Sequence, residues 1–437
     1  MRLTRSAGLV ALAAVMLAGC ERERILEGER FDTRAVVEGP RSDAPENRSA
    51  PLSLPPAEDV ADWPQRLGRP GDRVTHAALA AAPTHRWSAE IGAGEDRRHR
   101  ITADPVAAGG RIFTLDSRAT VTATSASGET LWQRDLTPSY AGRDDASGGG
   151  LAHGEGRLFV ASAFGRLVAL DPATGDQLWA QRFDAPLTAP PLVAGGRVFV
   201  VDSGGTAWSI DTRNGRVDWQ LSATEGTDRL VGGASPALAG RLVVLPFPSG
   251  EVRAVLRDSG RRIWAAHVRG RRLGRGYSHT TDITADPLMA GGRVHIANQG
   301  GELLALDPDG GETIWTADEG APGPVWEAAG ALFFVTDENR LVRLDAATGA
   351  RVWSVELPNF TDDDFDDRAE IFVHHGPVLA GGRLILISSD GRIRSFDPES
   401  GAMLSERNLP AAAATRPIIV DGTLYFVSTD GRLHAFR

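Results

Sequence analysis

The chain has 437 residues, with 57 acidic side chains against 47 basic ones and a formal net charge of −10. This acidic balance argues against a partner such as nucleic acid, whose phosphate backbone is bound by basic surfaces. Every basic residue is an arginine, because the sequence contains no lysine. The absence of lysine excludes a P-loop, a Schiff-base lysine and a lysine general base.

The first 20 residues have the features of a targeting segment. Arg2 and Arg5 supply positive charge at the start, and Gly8 to Ala18 form an apolar run too short to span ~30 Å of hydrocarbon. The run ends in Leu17-Ala-Gly-Cys20, which looks like a bacterial lipobox. We therefore predict a lipoprotein signal peptide over residues 1–20. The alternative is an ordinary secretory peptide in which the cysteine is incidental.

Cys20 is the only cysteine of the chain and stands at the predicted cleavage position. The lipobox resemblance implies that Cys20 becomes the first mature residue and carries acyl chains. Several acyl chains, at ~0.8 kcal/mol per buried CH₂, would form a stable membrane anchor. Glu21 follows in place of aspartate, which in lipoproteins implies sorting to the outer membrane.

Residues 21–60 are charged and rich in proline, which is typical of a solvated chain. We predict that this segment is a flexible tether. Ordered structure is expected to begin near Asp62-Trp63-Pro64-Gln65, as a cap beneath the domain that follows. That domain is predicted to span residues 61–437, with its repeated units starting at Thr84.

A short motif, glycine followed four residues later by tryptophan, recurs along this domain at intervals of 38 to 52 residues. Periods of this length indicate a propeller, a solenoid or an array. A seventh copy starts at Gly401 and has Ser405 at the tryptophan position. The six complete copies are Gly128 with Trp132, Gly175 with Trp179, Gly215 with Trp219, Gly260 with Trp264, Gly311 with Trp315, and Gly349 with Trp353.

Each repeat contains the sequence signals of four short strands. In the second repeat Arg157–Ala161 and Arg166–Leu170 read as a hairpin, and Gln177–Gln181 reads as the outer strand. Four antiparallel strands form a propeller blade, which must stack on its neighbours to bury both faces. The indoles are the expected stacking anchors, since each can bury roughly 150–250 Å². These anchors are Trp87, Trp132, Trp179, Trp219, Trp264, Trp315 and Trp353.

The two ends of the domain are complementary. The last strand pair, Thr423–Val427 and Arg432–Phe436, has no tryptophan strand after it, whereas the strand around Trp87 has no pair before it. We predict that they combine into one blade, which gives an all-β, eight-bladed propeller of four-stranded antiparallel blades. Pairing the N-terminal strand with the C-terminal strands would close the ring and leave no free edge between blades.

Four of the repeats are longer than the rest, and the additional residues fall between the fourth strand of one blade and the first strand of the next. These segments are 136–151, 222–234, 267–284 and 358–376. Because strand direction alternates, all four are expected on one face of the ring. Long loops of a compact domain are often functional, so this face is the predicted binding surface.

The sequence offers no convincing catalytic or metal-binding motif. There is no His-Glu-x-x-His, no Gly-x-Ser-x-Gly and no dinucleotide-binding glycine pattern after a strand. His374 and His375 are adjacent and would point to opposite faces of an extended chain. Asp362–Asp367 could bind Ca²⁺ but lacks the glycine and glutamate of an EF-hand loop, so a solvated acidic loop is expected. We predict no cofactor and no metal.

The pattern Gly-Arg-x-(apolar)₃ … Ala-Leu-Asp-x-x-Thr-Gly-x-x-x-Trp, as in Gly156–Trp179, resembles the pyrroloquinoline-quinone-type propeller repeat. Two branches share it: the quinoprotein dehydrogenases and the BamB family of outer-membrane protein assembly factors, which are lipoprotein scaffolds. The dehydrogenases stack the quinone on disulfide-linked cysteines and use Ca²⁺ with an aspartate base. With only Cys20 available, the scaffold branch is favoured. A quinone- and Ca²⁺-dependent dehydrogenase and a ligand-binding or sensing propeller are the alternatives.

Resemblance to the BamB family implies a lipid-anchored protein on the periplasmic side of the outer membrane. Its implied partners are a POTRA domain of BamA and other subunits of the barrel-assembly machinery. In the family, contacts come from the loops between blades 3 and 4 and between blades 4 and 5. Carried over by position, the first loop holds Asp228, Arg229 and Leu230, and the second holds Asp282 and Thr284.

Overall fold

The computed structural model describes residues 46–223, 232–270, 282–362, 364 and 370–437. Residues Asn47–Arg437 form one compact unit. Across the part of the chain that the structure describes, every regular element is a β-strand, and no helix is long and apolar enough to span a membrane. The strands form eight four-stranded antiparallel sheets and one two-stranded hairpin. The predicted eight-bladed β-propeller is confirmed.

The hairpin strands and the N-terminal strand precede blade 1. They are β1 (Gly68–Arg69), β2 (Asp72–Arg73) and β3 (His85–Glu90). Blade 1 contains β4 (Val106–Ala108), β5 (Arg111–Leu115), β6 (Thr120–Ser125) and β7 (Thr130–Asp135). Blade 2 contains β8 (Gly149–Gly154), β9 (Arg157–Ser162), β10 (Arg166–Leu170) and β11 (Gln177–Arg182). Blade 3 contains β12 (Leu192–Ala194), β13 (Arg197–Val201), β14 (Thr206–Asp211) and β15 (Val217–Ser222). Blade 4 contains β16 (Ala237–Ala239), β17 (Leu242–Pro246), β18 (Glu251–Leu256) and β19 (Arg262–His267).

The second half of the ring repeats the same plan. Blade 5 contains β20 (Leu288–Ala290), β21 (Arg293–Ala297), β22 (Leu303–Leu306) and β23 (Thr313–Ala317). Blade 6 contains β24 (Trp326–Ala328), β25 (Ala331–Val335), β26 (Arg340–Asp345) and β27 (Arg351–Glu356). Blade 7 contains β28 (His374–Ala380), β29 (Arg383–Ser388), β30 (Arg392–Phe396) and β31 (Met403–Asn408). Blade 8 contains β32 (Ile418–Val420), β33 (Thr423–Ser428) and β34 (Arg432–Phe436), with β3 as its fourth strand.

The turn between the third and fourth strands follows from its sequence. In blade 2 the Asp171 side chain accepts a hydrogen bond from the Ala173 amide at 2.7 Å. The backbone carbonyl of Asp171 accepts one from the Gly175 amide at 2.9 Å. Gly175 has a φ of +76°, a conformation that glycine adopts at little cost. The Asp-x-x-x-Gly segment therefore fixes the direction in which the outer strand leaves the turn.

The ring closes where the two ends of the domain meet. Strand β3 pairs antiparallel with β34, with His85 opposite Phe436 and Ala89 opposite Leu433. Thr84 and Arg437 exchange backbone hydrogen bonds of 2.9 Å beyond the strand ends. This is the predicted pairing, and it makes folding depend on both termini of the domain.

Neighbouring blades meet through a repeated contact between a tryptophan and a turn glycine. The indole of one blade lies against the glycine of the next, so that a Cβ at Gly215 would lie 2.7 Å from Trp179 Cε3. The same indole donates from Nε1 to the Thr212 carbonyl at 3.0 Å. The seven pairs are Trp87 with Gly128, Trp132 with Gly175, Trp179 with Gly215, Trp219 with Gly260, Trp264 with Gly311, Trp315 with Gly349, and Trp353 with Gly401.

The two faces of the ring differ. One, the turn face, carries the turns between the first and second and between the third and fourth strands of each blade. The other, the loop face, carries the remaining turns and the connections from one blade to the next. The long connections that the sequence predicts for one face therefore belong to the loop face.

Candidate functional site

Residues 60–80, the central segment, lie across the middle of the ring from its turn face. The Trp63 and Ala107 amides each donate to the other residue's carbonyl at 2.8 Å, which adds the segment to blade 1. The Gln65 side chain pairs with the backbone of Val193 in blade 3, donating at 2.9 Å and accepting at 3.3 Å. These contacts replace water on backbone groups that face the channel, which removes the cost of burying them unpaired.

The central segment also bonds to the far side of the ring. Further hydrogen bonds reach blades 2, 6, 7 and 8. The His153 amide donates to the Pro64 carbonyl at 2.7 Å, and Trp326 Nε1 donates to the Thr75 carbonyl at 3.0 Å. The Ala77 amide donates to the Leu379 carbonyl at 3.1 Å, and the Asp421 amide donates to the Val60 carbonyl at 2.9 Å. Trp63 is fully buried and stacks on Trp326, with ring centroids 6.2 Å apart. The segment thus ties together blades that are distant in sequence.

Two buried aspartates and two largely buried arginines meet in the channel around Arg66. Its guanidinium binds Asp104 of blade 1 at 3.0 Å and Asp286, at the start of blade 5, at 3.1 Å. Asp104 also accepts the Arg416 guanidinium at 3.3 Å and the Arg416 amide at 2.9 Å. The Ser235 amide donates to Asp286 at 2.8 Å. Two arginines and two aspartates give the cluster no net charge when all four are ionised.

Burial and pairing act against each other in this cluster. Burial alone would raise the pKa of Asp104, but Arg416 and Arg66 outweigh it and hold that pKa below its usual range. At Asp286 burial prevails and raises the pKa. Burial, with the positive charge of Arg416 nearby, lowers the pKa of His375 to about 4, so this histidine is neutral at pH 7. The cluster is therefore a structural cross-link, and losing one member would leave a buried charge unpaired at a cost of about 3–5 kcal/mol.

Sequence reasoning did not identify this cluster, although a signal for it exists. Asp104 and Asp286 stand in two copies of Thr-Ala-Asp-Pro, Thr102–Pro105 and Thr284–Pro287, each just before a first strand. Arg416 occupies the same place before Pro417 in blade 8. Equivalent positions of a propeller face its channel together, so these three side chains meet there. Arg66 carries no such signal, because its partners are distant in the chain.

The cluster forms the floor of a cavity that opens on the loop face. The cavity has a volume of about 210 Å³ and is lined by charged and apolar side chains, among them Arg66, His375, Arg416, Ile101 and Val373. A second cavity, of about 410 Å³, lies on the turn face between the central segment and blades 3 to 5. The first of these could receive a small polar ligand from the loop face.

The residues of the channel do not form a site for the quinone that the dehydrogenases with this repeat bind. Trp63, Gln65 and Arg66 occupy it and bond to opposite blades. Cys20 is the sole cysteine, so a disulfide between neighbouring cysteines is impossible. Within the described ranges no group of three His, Cys, Asp or Glu side chains could hold a metal ion. We derive no chemistry through a quinone or Ca²⁺.

The histidine pair and the acidic segment do not form a metal site in the described part of the chain. His374 binds Ser388 Oγ of blade 7 at 2.6 Å through Nδ1, and through Nε2 it binds the carbonyl of Pro358, in the connection from blade 6, at 2.7 Å. Both of its ring nitrogens therefore have partners. Of the acidic segment, residues 363 and 365–367 lie outside the described residues. The two adjacent histidines therefore have separate roles: His375 lines the channel, and His374 stabilises the start of blade 7.

The predicted partner-binding residues fall into two groups. Asp228, Arg229 and Leu230 lie outside the described residues. Asp282 and Thr284 are described and buried, and the Thr284 hydroxyl donates to the Ala321 carbonyl at 2.9 Å. In this structure the latter pair shapes the start of blade 5, and its assignment to a partner surface stays a prediction.

The ring, its recurring Trp–Gly contact and its Asp-x-x-x-Gly turns define a pyrroloquinoline-quinone-type propeller whose channel is filled by its own chain. A family model described as outer membrane protein assembly factor BamB matches residues 117–355 and 345–437. The chain belongs to the BamB family. The expectation that it is not an enzyme rests on this assignment.

Individual relatives agree with the family model. The BamB protein of Yersinia pestis is 23% identical over 333 residues, which cover 75% of this chain and 82% of the relative. That of Shewanella oneidensis is 28% identical over 305 residues, covering 67% and 76%. Both relatives are named as outer membrane protein assembly factors.

The similarity to solved structures concerns the fold alone. BamB from Moraxella catarrhalis matches with a TM-score of 0.66 at 20% identity, covering 81% of this chain and 99% of that one. Quinohemoprotein alcohol dehydrogenase from Comamonas testosteroni matches with a TM-score of 0.64 at 15% identity, covering 87% and 81%. Because both branches share the ring, the family model distinguishes them and the architecture does not.

Proposed function

We propose that this protein is a non-catalytic scaffold of the barrel-assembly machinery, which binds a POTRA domain of BamA and helps insert outer-membrane proteins. The observation that supports this proposal most is the match of the BamB family model to most of the propeller. A filled channel agrees with a scaffold, since the chain uses that space to tie its blades together. Binding is then left to the surface of the ring.

The loop face is the binding surface we propose. It carries exposed apolar side chains on long connections: Tyr140 is 59% exposed, Ile371 52% and Val373 48%. Arg182 lies over the Tyr140 ring at 4.8 Å, which presents an aromatic and a cation side by side. Exposed aromatic, apolar and arginine side chains are enriched where proteins bind one another.

Within this face we assign the contact to the loops between blades 3 and 4 and between blades 4 and 5. Asp228, Arg229 and Leu230 would contact the POTRA domain directly. Asp282 and Thr284, being buried, would act by holding the second loop in place. The long connection at Ile371 and Val373 would add apolar area from the other side of the ring.

We further propose that Cys20 carries the lipid anchor, that the protein sits at the outer membrane, and that it faces the periplasm. Glu21 after the lipidated residue supports outer-membrane sorting. Residues 21–46 would then connect the anchor to the compact unit that begins at Asn47. Replacement of Cys20 by serine should release the protein from membranes, as fractionation with an antibody would report.

Binding can be tested with the purified mature protein and the periplasmic region of BamA by calorimetric titration. We expect Arg229→Glu to weaken the association at least about tenfold, which is 1.4 kcal/mol. Arg216→Glu is the matched control, because Arg216 is exposed in the third-to-fourth-strand turn of the same blade, on the turn face. No association of the wild-type protein at micromolar concentrations, or equal loss in both variants, would contradict the proposal.

The loop-face cavity supports a ligand-binding propeller as the second candidate. Its floor is polar, but its volume of about 210 Å³ is below the roughly 300–1,000 Å³ usual for ligand pockets, so only a fragment of a peptide or glycan would fit. A thermal-shift screen of both ligand classes would test it. Unchanged melting temperatures across the screen would exclude this function.

A further inference from the structure

Residues Asn47–Leu54, the strap, lie along the outer edge of blade 6 and cross to blade 7. The Arg48 amide donates to the Val352 carbonyl of β27 at 3.1 Å. The Asn47 side chain donates to the Ser354 carbonyl and accepts the Ser354 amide, both at 2.9 Å. The strap therefore satisfies backbone groups at a sheet edge that would otherwise face solvent.

The strap also covers apolar surface that other blades expose. Ala50, Leu52 and Leu54 pack against the core that contains Val352 and Trp353. Val352, just before the tryptophan, is 3% exposed, and Trp353 is fully buried. In five other blades the residue at the equivalent position is also apolar, and it is 38–48% exposed, or 55% at the seventh blade: Leu131, Leu178, Ile263, Ile314 and Leu404.

Blade 6 carries an arginine at a position where the other seven blades have alanine or serine. Arg343 stands on β26 opposite Trp353. It is buried, and its Nη1 donates to the Ala50 carbonyl at 2.6 Å and to the carbonyls of Pro398 and Glu399 at 3.3 and 3.2 Å. The equivalent residues, each opposite the fourth-strand position of its blade, are Ala123, Ala169, Ser209, Ala254, Ala305, Ser395 and Ala435.

Glu399, in the turn of blade 7, completes the contact. Its carboxylate accepts the Leu52 amide at 2.9 Å, and its backbone carbonyl accepts the Ala50 amide at 3.2 Å. Blades 2 and 6 have alanine at this turn position, Ala173 and Ala347. Arg343 and Glu399 thus hold one extended segment from opposite sides of the boundary between two blades.

We propose that the boundary between blades 6 and 7 is a dedicated binding groove for an extended peptide, and that its resident ligand is the strap. The groove binds the amides of alternate residues and the Ala50 carbonyl, and it packs the apolar side chains of Ala50, Leu52 and Leu54. Its consequence is that the chain leaves the compact unit at the rim beside blade 6 and not above the channel. The point of exit is fixed by Arg343 and Glu399.

Hydrogen–deuterium exchange of the full-length protein tests the groove. In the wild type, the amides of Arg48, Ala50 and Leu52 should be protected. Arg343→Ala should speed their exchange at least about tenfold while the blades stay protected, because other blades carry alanine at this position. Arg340→Ala is the matched control: it removes a partly exposed arginine of the same strand, which pairs with Glu356.

A second measurement, on peptide binding, does not depend on Arg343→Ala. Full-length protein with Leu52→Asp and Leu54→Asp should release its own strap and bind a synthetic peptide of residues 46–56, detected by fluorescence anisotropy. Glu399→Ala in the same protein should weaken peptide binding at least about tenfold. Unprotected strap amides in the wild type, protection that survives Arg343→Ala, or no peptide binding to the released protein would each overturn the proposal.

Discussion

Seven of the eight boundaries between blades carry a Trp–Gly contact, and the boundary between blades 7 and 8 does not. In the seven, an indole covers a turn glycine that joins the third and fourth strands of the next blade. Blade 8 has no such turn, because its third strand ends the chain and its fourth strand, β3, begins the ring. Ser405 therefore has no glycine to cover, and it bonds Ser395 Oγ at 2.7 Å instead. The glycine turn is half of the contact, and tryptophan occurs only where the turn exists.

The boundary without the contact is held in another way. Five boundaries, from blades 1–2 to blades 5–6, each have a separate apolar core between their two blades. Blades 6, 7, 8 and 1, the strap and the central segment share one continuous core that includes Trp63, Leu379, Phe426 and Phe436. Burial in this larger core compensates for the missing indole, so the ring combines local contacts with one shared core.

The largest expected effect comes from removing a buried indole. Trp264 is 5% exposed and donates to the Pro308 carbonyl at 2.8 Å. Trp264→Ala should lower the free energy of unfolding by about 3–5 kcal/mol, because it leaves a large cavity between blades 4 and 5. Urea denaturation would measure this. Ser405→Ala should cost only about 1 kcal/mol, the contribution of its hydrogen bond to Ser395; equal losses in both variants would refute the comparison.

Blade 5 differs from other blades in the ring that packs against its tryptophan. Phe113, Phe159, Phe199 and Phe333 fill this place in other blades, whereas His295 lies 5.5 Å from the Trp315 ring. Neither of its ring nitrogens has a hydrogen-bond partner of normal geometry among the described residues. Burial, with Arg293 nearby, lowers its pKa from 6.5 to about 4. The native state therefore disfavours the protonated form.

This pKa shift makes stability depend on pH in one direction. Between pH 6.5 and about 4 the unfolded chain takes up a proton at His295 that the folded chain does not, so stability falls as the pH falls. The shift corresponds to about 3 kcal/mol. His295→Phe should be more stable than the wild type at pH 4 by up to that amount and should lose part of the pH dependence. Parallel stability curves for the two proteins from pH 7 to 4 would contradict this.

A smaller effect is expected at the glycine. Gly215 has a φ of +74°, and a Cβ there would meet Trp179 at 2.7 Å. Gly196 has a φ of +76° with nothing within 4 Å. Alanine at either site carries the backbone cost of about 1–2 kcal/mol, but Gly215→Ala should cost about 1–3 kcal/mol more because it displaces the indole. Chemical denaturation of both variants measures the difference, and equal costs would show that the indole is not in contact.

The smallest effect is expected from adding the missing indole. Ser405→Trp should change stability by less than about 0.5 kcal/mol, because blade 8 offers neither the glycine nor the turn carbonyl. Thermal melting against the wild type would measure it. A clear gain would mean that the indole alone, and not its pairing with the turn, stabilises a boundary.

The number of blades and their closure could be predicted because a repeat reports its own period and its own missing parts. The lone strand at Trp87 and the incomplete end at Phe436 were enough to place one blade across both termini. The strap could not be predicted in this way. Residues 21–60 read as a solvated tether, but 47–54 are held by backbone hydrogen bonds and by Arg343, which sequence composition does not reveal.

The central cluster was unpredictable for a related reason. Arg66 meets Asp286 across 220 residues of sequence, and only the ring brings them together. The same limit applies to the partner surface: a resemblance locates the loops, yet burial of Asp282 and Thr284 follows from how blade 5 starts. Patterns that repeat along the chain can be predicted from sequence, whereas single contacts across the channel cannot.

The most direct test of the scaffold function is site-specific photo-crosslinking in living cells. A photoreactive amino acid placed at Leu230, in the loop between blades 3 and 4 that we propose contacts BamA directly, is predicted to crosslink BamA. The same amino acid at Ser127, exposed in a turn on the opposite face, is predicted to give no such product. A BamA crosslink from Ser127 alone, or from neither position, would contradict binding through the loop face.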